Sequence, residues 1–412
     1  MDAVAAIEAV WRIESAQVVA TVARMVRDLA LAEELAQDAL VAALEHWPAS
    51  GVPANPGAWL VTTAKRRALD HLRHRRRAEA KHAQLAGEAD AAHAPDLDAQ
   101  LDDDLGDDVL RLVFTACHPV LAPEARVALT LRLVAGLTTA EIARAFLVPE
   151  PTIAQRIVRA KRALAEANVP YEVPRGEELA ARLGSVLEVI YLVFNEGYAA
   201  SSGAAWLRTE LIEDALRLAR IVAARMPRDP EAHGLVALLE LQASRAAARV
   251  GPDGAPILLL DQNRARWDHL LIRRGLAALA TAEALGAPGP YALQAAIAAC
   301  HARAPTADAT DWPRIAALYA ALVQRVPSPV IELNRAVAIG MAFGPAAALE
   351  IVDALTGAPA LARYHLLPSV RADLLVKLGR HDEARRELHK AIGLCQNERE
   401  RELLAQRAAA LA

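Results

Sequence analysis

The strongest local constraint on the fold lies in residues 136–162, which predict two helices joined by a very short turn. Thr138 and Glu141 form a Ser/Thr-x-x-Glu capping box, which typically begins a helix. We expect that helix to end near Leu147, and Pro151 suits the first position of the next one. The segment therefore predicts a short helix, a tight turn and a second helix.

The second predicted helix has two different faces. Spacing of i, i+4, i+7 and i+11 places four apolar residues on one buried stripe: Ile153, Ile157, Ala160 and Leu164. A separate stripe carries hydrogen-bond donors: Thr152, Gln155, Arg156 and Arg159. This pattern is typical of a helix-turn-helix, in which Arg and Gln contact base edges in the major groove and nearby cations such as Lys161 and Arg162 contact phosphates. The alternative is an αα-hairpin with a solvated basic face.

Composition favours an all-α protein. Hydrophobic residues make up 54% of the 412 residues but aromatic residues only 4%, so Ala and Leu supply most of the apolar content. Ala and Leu are strong helix formers, and so apolar a chain is not disordered throughout. The formal net charge of -4 gives no global sign of nucleic-acid binding, but it conceals strong local asymmetry.

Targeting and redox signals are weak. The N-terminus has no basic segment before an apolar run, and no stretch of 18 uncharged apolar residues occurs, so neither a signal peptide nor a membrane span is expected. Cys117, Cys300 and Cys395 lie far apart without a C-x-x-C, which predicts no disulfide framework and no cysteine-based zinc site. We expect a cytoplasmic protein without a cofactor.

Charge changes sign along the N-terminal region. Predicted helices at residues 7–47 and 58–77 flank a break rich in Pro and Gly, and the second helix carries seven Lys or Arg between Lys65 and Arg77. Trp47 and Trp59 lie near its start, and aromatic rings beside a basic track suit single-stranded DNA, although both could equally be core residues.

An acidic block follows the basic helix. Residues 88–108 contain nine Asp or Glu and no Lys or Arg, which predicts a solvated linker. The expected organisation is a helical domain at 1–78, the linker at 79–104, a helix-turn-helix domain at 105–168 and a helical C-terminal domain at 175–412.

The C-terminal region contains two stretches that align with each other. Pairing Ala336 with Ala372 and Gly344 with Gly379 gives offsets of 36 and 35 residues, and each stretch is followed by a predicted helix. These offsets are close to the 34-residue repeat of tetratricopeptide (TPR) arrays. The alternative is an irregular helical domain.

Other features do not predict catalysis. The pairs Cys117-His118 and Cys300-His301 suggest metal ligation, but buried cysteines beside unrelated histidines are more common. The polar segment Asp261–Asp268 could line a ligand pocket or form a network between helices. Because no phosphate-binding loop, nucleophile elbow or carboxylate pair is present, we expect no enzyme.

The ordered motifs of residues 7–168 resemble the extracytoplasmic-function (group IV) sigma factors of bacterial RNA polymerase. These motifs are A-E-E-L-A-Q-D at Ala32–Asp38, A-W-L at Ala58–Leu60, A-K-R-R-A-L-D-H-L-R at Ala64–Arg73, A-L-T-L-R-L at Ala128–Leu133 and T-I-A-Q-R-I-V-R-A-K at Thr152–Lys161. At Arg66 many members carry Asn. The C-terminal region looks like that of the subgroup with a TPR-like extension, whose recurring blocks are similar to Phe114–Pro119, Tyr191–Tyr198, Gln294–Ala299 and Leu333–Ala338.

The resemblance implies a role for each segment. Docking on the β′ clamp of core RNA polymerase is assigned to an acidic face: Glu33, Glu34, Gln37 and Asp38. Contact with the -10 element of promoter DNA is assigned to the basic helix: Lys65, Arg66, Arg67, His71, Arg73 and Arg75. Reading of the -35 element is assigned to the second helix of the helix-turn-helix: Thr152, Gln155, Arg156, Arg159, Lys161 and Arg162. The helix-turn-helix domain would also meet the polymerase β flap, and the extension would respond to a protein or small-molecule signal.

Two other functions are compatible with the residues. One is a helix-turn-helix regulator with a repeat-type sensor domain, which would bind duplex DNA without polymerase. The other is a TPR-like adaptor, in which residues 1–168 would bind neither DNA nor polymerase.

Overall fold

The computed structural model describes residues 3–85, 105–146, 148–199, 207–251 and 255–411. These residues form eighteen α-helices joined by turns and short 3-10 segments, and no β-strand occurs among them. The all-α prediction is therefore confirmed. Within the described ranges, no helix has both the length and the hydrophobicity needed to cross a membrane. Contacts divide the chain into two compact units, Met1–Ile190 and Tyr191–Ala412.

The first unit begins with three mutually packed helices, α1 (Ala3–Val26), α2 (Leu29–Ser50) and α3 (Pro56–Leu85). The single helix expected at residues 7–47 is wrong, because the chain breaks at Arg27, whose φ is 53°. Asp28 then caps α2, and its side chain accepts hydrogen bonds from the backbone N–H groups of the following turn at 2.8 and 3.1 Å. A good N-cap residue makes this restart stable.

The ends of α2 and α3 differ from the sequence expectation. The sequence predicts a helix end at residue 47, but Pro48 lies inside the last turn of α2, and Gly51, whose φ is 82°, caps its end. Helix α3 continues past the expected end at Arg77 to Leu85. It thus includes the first residues of the predicted acidic linker, and the rest of that linker, residues 86–104, lies outside the described residues.

The first unit continues with four shorter helices: α4 (Leu105–Ala116), α5 (Pro123–Leu133), α6 (Thr139–Phe146) and α7 (Glu150–Glu166). Helices α6 and α7 form the predicted helix-turn-helix, and both pack on α5. The buried side of this group contains large apolar side chains such as Phe114, Leu129 and Ile153. A further helix, α8 (Gly176–Tyr198), follows.

The second unit is built from helices that pack mainly on their neighbours in sequence. They are α9 (Thr209–Arg225), α10 (Pro230–Ala243), α11 (His269–Leu285), α12 (Pro290–Arg303), α13 (Trp312–Arg325), α14 (Pro329–Phe343), α15 (Pro345–Leu355), α16 (Leu366–Lys377), α17 (His381–Leu394) and α18 (Glu398–Ala409). Contacts join consecutive helices and also α10 to α12 and α14 to α16. Such near-neighbour packing is characteristic of helical repeat arrays.

The repeat alignment agrees with the helix pairs. Gly344 separates α14 from α15 and Gly379 separates α16 from α17, with φ values of 102° and 72°. A side chain with a Cβ atom rarely adopts such angles, so glycine ends both first helices at equivalent positions. The extension is therefore TPR-like.

Packing between α10 and α12 depends on a small residue. A Cβ atom at Gly234 would lie 2.7 Å from the backbone N of Ala292, a distance that ordinary packing does not allow. Gly393 in α17 is also helical, but a Cβ atom there would meet nothing within 4 Å. The two glycines therefore provide a matched pair.

We predict that Gly234→Ala lowers the free energy of unfolding by about 1–3 kcal/mol, because the two helices must move apart. Gly393→Ala should leave the stability unchanged or raise it by up to ~1 kcal/mol, since alanine favours helix. Denaturant unfolding followed by circular dichroism measures both variants. Equal stability of the two would contradict the close approach of α10 and α12.

Candidate nucleic-acid interface

The helix-turn-helix begins with the predicted capping box. The Thr138 hydroxyl accepts a hydrogen bond from the Glu141 N–H at 3.1 Å, and the Glu141 carboxylate accepts one from the Thr138 N–H at 2.7 Å. Glu150, at the start of α7, accepts a bond from the Thr139 hydroxyl at 2.9 Å. These contacts fix the start of α7 relative to α6.

Helix α7 has the two faces that its sequence predicts. The apolar stripe is confirmed, because its four residues are the buried residues of the helix. The donor stripe lies on the other side, where Thr152, Gln155 and Arg159 are exposed and Arg156 is half-buried. Arg162 is exposed and forms an ion pair with Glu166 at 2.6 Å. The helix thus presents a row of donors on its solvent side.

Helix α3 also presents cations to solvent. Ala64, Ala68 and Leu72 are buried against the other helices. The candidate DNA-binding residues lie around the remaining surface, half-buried or exposed: Lys65, Arg66, Arg67, His71, Arg73 and Arg75. Arg67 forms an ion pair with Asp38 of α2 at 3.1 Å, so it links the basic helix to the acidic face.

The two tryptophans near α3 form part of the packing. Trp47 is 2% exposed and meets Trp59 edge to face, with ring centroids 5.3 Å apart. A base cannot stack on a ring that is enclosed by protein. The core interpretation therefore holds for Trp47, whereas Trp59 stays half-exposed beside the basic helix.

The acidic face of α2 is only partly available to solvent. Glu34 is exposed, and Gln37 and Asp38 are half-buried. Glu33 is 9% exposed, because its carboxylate is enclosed by the helix-turn-helix domain. Of the four residues assigned to this face, Glu33 is therefore the one that is buried.

Glu33 is held by two cations from the helix-turn-helix domain. Arg132 of α5 donates from Nε to Glu33 Oε1 at 2.5 Å, and Lys161 of α7 donates from Nζ to Glu33 Oε2. Gln37 also donates to Glu33 at 2.9 Å. One candidate polymerase-binding residue and one candidate DNA-binding residue are therefore bound to each other.

The pKa of Glu33 reflects this balance. Burial alone would raise it, but attraction to Lys161 and Arg132 outweighs the burial, and the pKa lies below its ordinary value. The carboxylate is therefore ionised at neutral pH. A buried carboxylate in this state needs its cationic partners, and loss of either one would leave an uncompensated charge.

Further contacts join the first three helices to the helix-turn-helix domain. Arg12 of α1 forms an ion pair with Glu141 at 2.9 Å. Gly136, whose φ is 74°, lies against Ser15 of α1, and a Cβ atom at Gly136 would be 2.5 Å from the serine hydroxyl. Only glycine meets both the backbone angle and the space at this position.

Asp108 forms a second charged centre that the sequence did not predict. It was counted with the solvated acidic block, but it is fully buried and binds Arg24 of α1 at 3.2 Å and Arg111 of α4 at 2.6 Å. The Tyr171 hydroxyl donates to the backbone oxygens of Ala20 and Asp108 at 3.0 and 3.1 Å. Burial, and then the charge of Asp108, raises the pKa of Tyr171.

The first part of α8 is anchored to α4 and α5. Arg182, which is 4% exposed, donates to the backbone oxygen of Phe114 at 3.0 Å. Ser185 donates to the backbone oxygen of Cys117 at 2.7 Å and accepts from Arg126. One sequence signal lies at this contact, the block Phe114–Pro119, but it does not indicate the partner helix.

Packing in the protein interior accounts for the positions of Cys117 and His301. Cys117 is buried 3.2 Å from the Thr130 hydroxyl, and burial raises its pKa to about 11. His301 is buried edge-on to Trp312, and burial, followed by Arg245 and Arg264, lowers its pKa to about 4. A neutral thiol is a poor metal ligand, since the thiolate is the form that binds.

Among the residues that the structure describes, one other group brings potential metal ligands together. The ligand atoms of His365, Cys395 and Glu400 lie within 4.8 Å of one another. His365 Nε2 lies 3.0 Å from a carboxylate oxygen of Glu400. Burial, and then Glu400, raises the pKa of Cys395, so the thiol is protonated at neutral pH.

The polar segment Asp261–Asp268 forms a network between helices. Arg264 donates to the backbone oxygens of His301 and Ala304 at 2.5 and 2.7 Å and lies over the Trp267 ring at 4.7 Å. Asp268 caps α11. The network interpretation therefore describes this segment better than a ligand pocket does.

Comparison with known proteins divides the chain in the same order. Residues 12–78 match Sigma-70 region 2, and residues 111–164 match Sigma-70, region 4. Residues 182–283 match a family of unknown function (DUF6596). The first two matches contain the basic helix and the helix-turn-helix.

A relative resembles almost the whole chain. An uncharacterized protein of Rhizobium meliloti (strain 1021) is 43% identical over 386 residues, which cover 92% of this chain and 90% of the relative. No solved structure matches the chain. Sigma factors are non-enzymatic transcription factors. With its region 2 and region 4 in the family's order, the chain belongs to the sigma-70 family as a factor of the extracytoplasmic-function type that carries a C-terminal helical extension.

Proposed function

We propose that this sigma factor binds core RNA polymerase and directs it to promoters through contacts with the -10 and -35 elements. The observation that carries the proposal is the pair of exposed donor surfaces, one on α3 of region 2 and one on α7 of region 4. A regulator that binds only duplex DNA through α7 would not need the first surface. The chemistry of transcription belongs to the polymerase.

The two DNA surfaces suit different forms of DNA. Helix α7 offers Gln155, Arg156 and Arg159, side chains that can bind base edges in the major groove of duplex DNA. Helix α3 offers a dense row of cations beside the half-exposed Trp59, which suits an opened strand whose bases can stack. We assign α7 to the -35 element and α3 to the -10 element.

The polymerase surface is assigned to α2 and to region 4. Glu34, Gln37 and Asp38 would contact the β′ clamp, and region 4 would contact the β flap. Glu33 belongs to the same face in sequence, but it becomes available only when Arg132 and Lys161 release it. Lys161 likewise becomes available for phosphate only after this release.

We infer that the described first unit is a resting state, in which region 2 and region 4 cover part of each other's binding surfaces. The contacts Glu33–Arg132, Glu33–Lys161 and Arg12–Glu141 support this inference, because all three join region 2 to region 4. In the proposed complex, region 2 contacts the -10 element and region 4 contacts the -35 element, which lie at separate places on the DNA. Opening of these contacts would therefore precede binding.

The extension is the proposed regulator of this opening. Its first helix is fixed to region 4 through Arg182 and Ser185. A movement of α8 would therefore displace α4 and α5. The acidic linker would lie along the RNA exit path of the polymerase. There its negative charge would take the place of the polyanionic transcript.

For the -35 assignment, we predict that Arg156→Ala and Arg159→Ala each weaken promoter binding by the holoenzyme by about 1–3 kcal/mol, the cost of a lost base contact. Arg386→Ala, an exposed arginine of α17, is the control and should have no effect. Binding is measured with a fluorescent promoter duplex at fixed salt. Wild-type binding by both α7 variants would exclude α7 as the recognition helix.

For the polymerase assignment, we predict that the double reversal Glu34→Lys and Asp38→Lys abolishes binding to core polymerase and preserves the fold. Glu34 is exposed, and the Arg67–Asp38 ion pair is open to solvent, where such pairs contribute little to stability. Glu398→Lys with Glu402→Lys reverses two acids at the same i, i+4 spacing on α18 and should bind normally. Co-purification with core polymerase measures binding, and circular dichroism checks folding. Retained binding by a folded α2 variant would remove this face from the interface.

A further inference from the structure

The second unit contains a cavity of about 120 Å³ between its helices. Its walls come from the end of α8 and from α10, α12, α13 and α14. Three segments, Tyr191–Tyr198, Gln294–Ala299 and Leu333–Ala338, all contribute to it. The first segment ends more than 130 residues before the last one begins, and the fold brings them to one place.

The polar part of the cavity wall is built from amide side chains. Each of four helices contributes one: Asn195 from α8, Gln242 from α10, Gln294 from α12 and Asn334 from α14. A carboxamide carries both a donor and an acceptor, so it can pair with a peptide amide on both sides. The remaining wall is aromatic or aliphatic, as in most small-ligand sites.

Two of the amides are held in position by neighbouring groups. The Tyr191 hydroxyl donates to Gln294 Oε1 at 3.0 Å, and Gln294 Nε2 donates to the backbone oxygen of Pro290 at 3.2 Å. Arg245 donates to the side-chain oxygen of Gln242. The wall is thus oriented before a ligand arrives, which lowers the entropic cost of binding.

Tyr198 supplies a buried polar group for which the described residues offer no hydrogen-bond partner. It lines the cavity and is 9% exposed, and its hydroxyl makes no hydrogen bond with any residue that the structure describes. The ring is fixed between Phe194, stacked at 5.4 Å, and Arg249, whose guanidinium lies 3.8 Å from the ring centroid. An unpaired buried hydroxyl is costly, and a ligand that pairs with it would remove that cost.

The charges around the cavity favour an uncharged ligand. No Asp, Glu, Lys, Arg or His forms part of its described lining. Burial raises the pKa of Tyr319 to about 12 and also raises that of Tyr191, so both stay neutral. The nearby cation Arg245 is directed at the rings of Tyr198 and Trp267, 5.9 and 5.8 Å from their centroids, and at Gln242.

We propose that this cavity is a binding site for the secondary amide group of an uncharged, peptide-like ligand, with Tyr198 and the four carboxamides as its hydrogen-bonding groups. The same chemistry is offered by a small amide metabolite and by a segment of a partner protein. The length of the ligand separates these two sources.

The test uses the full chain and a panel of N-acetyl amino-acid amides with uncharged side chains, followed by N-acetyl tetrapeptide amides that contain the best residue. Binding is measured by saturation-transfer NMR and calorimetry, with the free zwitterionic amino acids as charged counterparts. We expect saturable binding of the capped amides and none of the zwitterions. Affinity that rises with peptide length identifies a protein segment, and affinity that does not rise identifies a small molecule; both support the site.

The decisive variant is Tyr198→Phe, which removes only the hydroxyl. We expect it to weaken binding about three- to tenfold, the value of one hydrogen bond, and to keep or raise the melting temperature, because the hydroxyl has no hydrogen bond to lose among the described residues. Tyr364→Phe, a half-buried tyrosine of the same unit outside the cavity, should bind like the wild type. Absence of binding by every capped amide at millimolar concentration, or equal affinity of Tyr198→Phe and wild type, would overturn the proposal. The readout is binding itself, so it does not depend on transcription.

Discussion

The carboxylate of Glu33 connects the two DNA-binding regions of this protein. It lies 9% exposed between Arg132 and Lys161, and its depressed pKa shows that attraction to these cations outweighs the cost of burial. If either cation leaves, the carboxylate must either become exposed to water or remain buried without full charge compensation. Because Glu33 comes from region 2 and both cations from region 4, one ion cluster couples the positions of the two regions. If polymerase docks on the α2 face as proposed, it would compete with these cations for Glu33.

The extension is organised differently. Its helices pack on near neighbours, and its core forms successive clusters, one around Trp267 and Leu279, the next around Ile315 and the last around Leu375. In such an array, small local changes spread from one helix pair to the next. A ligand in the cavity would contact four helices, α8, α10, α12 and α14, through one amide side chain from each. Binding could therefore alter how these helices pack. The α8 helix, which begins on region 4 and ends in the cavity wall, is the segment through which we infer that such a change is transmitted.

Local sequence patterns predicted the local structure well. The capping box of Thr138, the apolar stripe of α7 and the paired glycines Gly344 and Gly379 all depend on interactions within a few residues, which spacing reveals directly. Long-range burial was not predictable in this way. The sequence places Glu33 on an acidic docking face and Asp108 in a solvated linker, because their neighbours are acidic and their cationic partners lie elsewhere in the chain. Likewise, the blocks that form the cavity were visible as separate segments, but only the fold shows that they meet.

The central claim is that region 2 and region 4 must separate before promoter and polymerase can bind. The direct measurement is energy transfer between a fluorophore at Glu45→Cys of α2 and one at Glu124→Cys of α5, two exposed positions, as core polymerase is added. The native cysteines Cys117, Cys300 and Cys395 are buried, so the labels go to the new thiols. The account predicts that energy transfer falls when polymerase binds, whereas a control pair within region 4, Glu124→Cys with Glu166→Cys, keeps its transfer. Unchanged transfer of the first pair in polymerase-bound protein would contradict it.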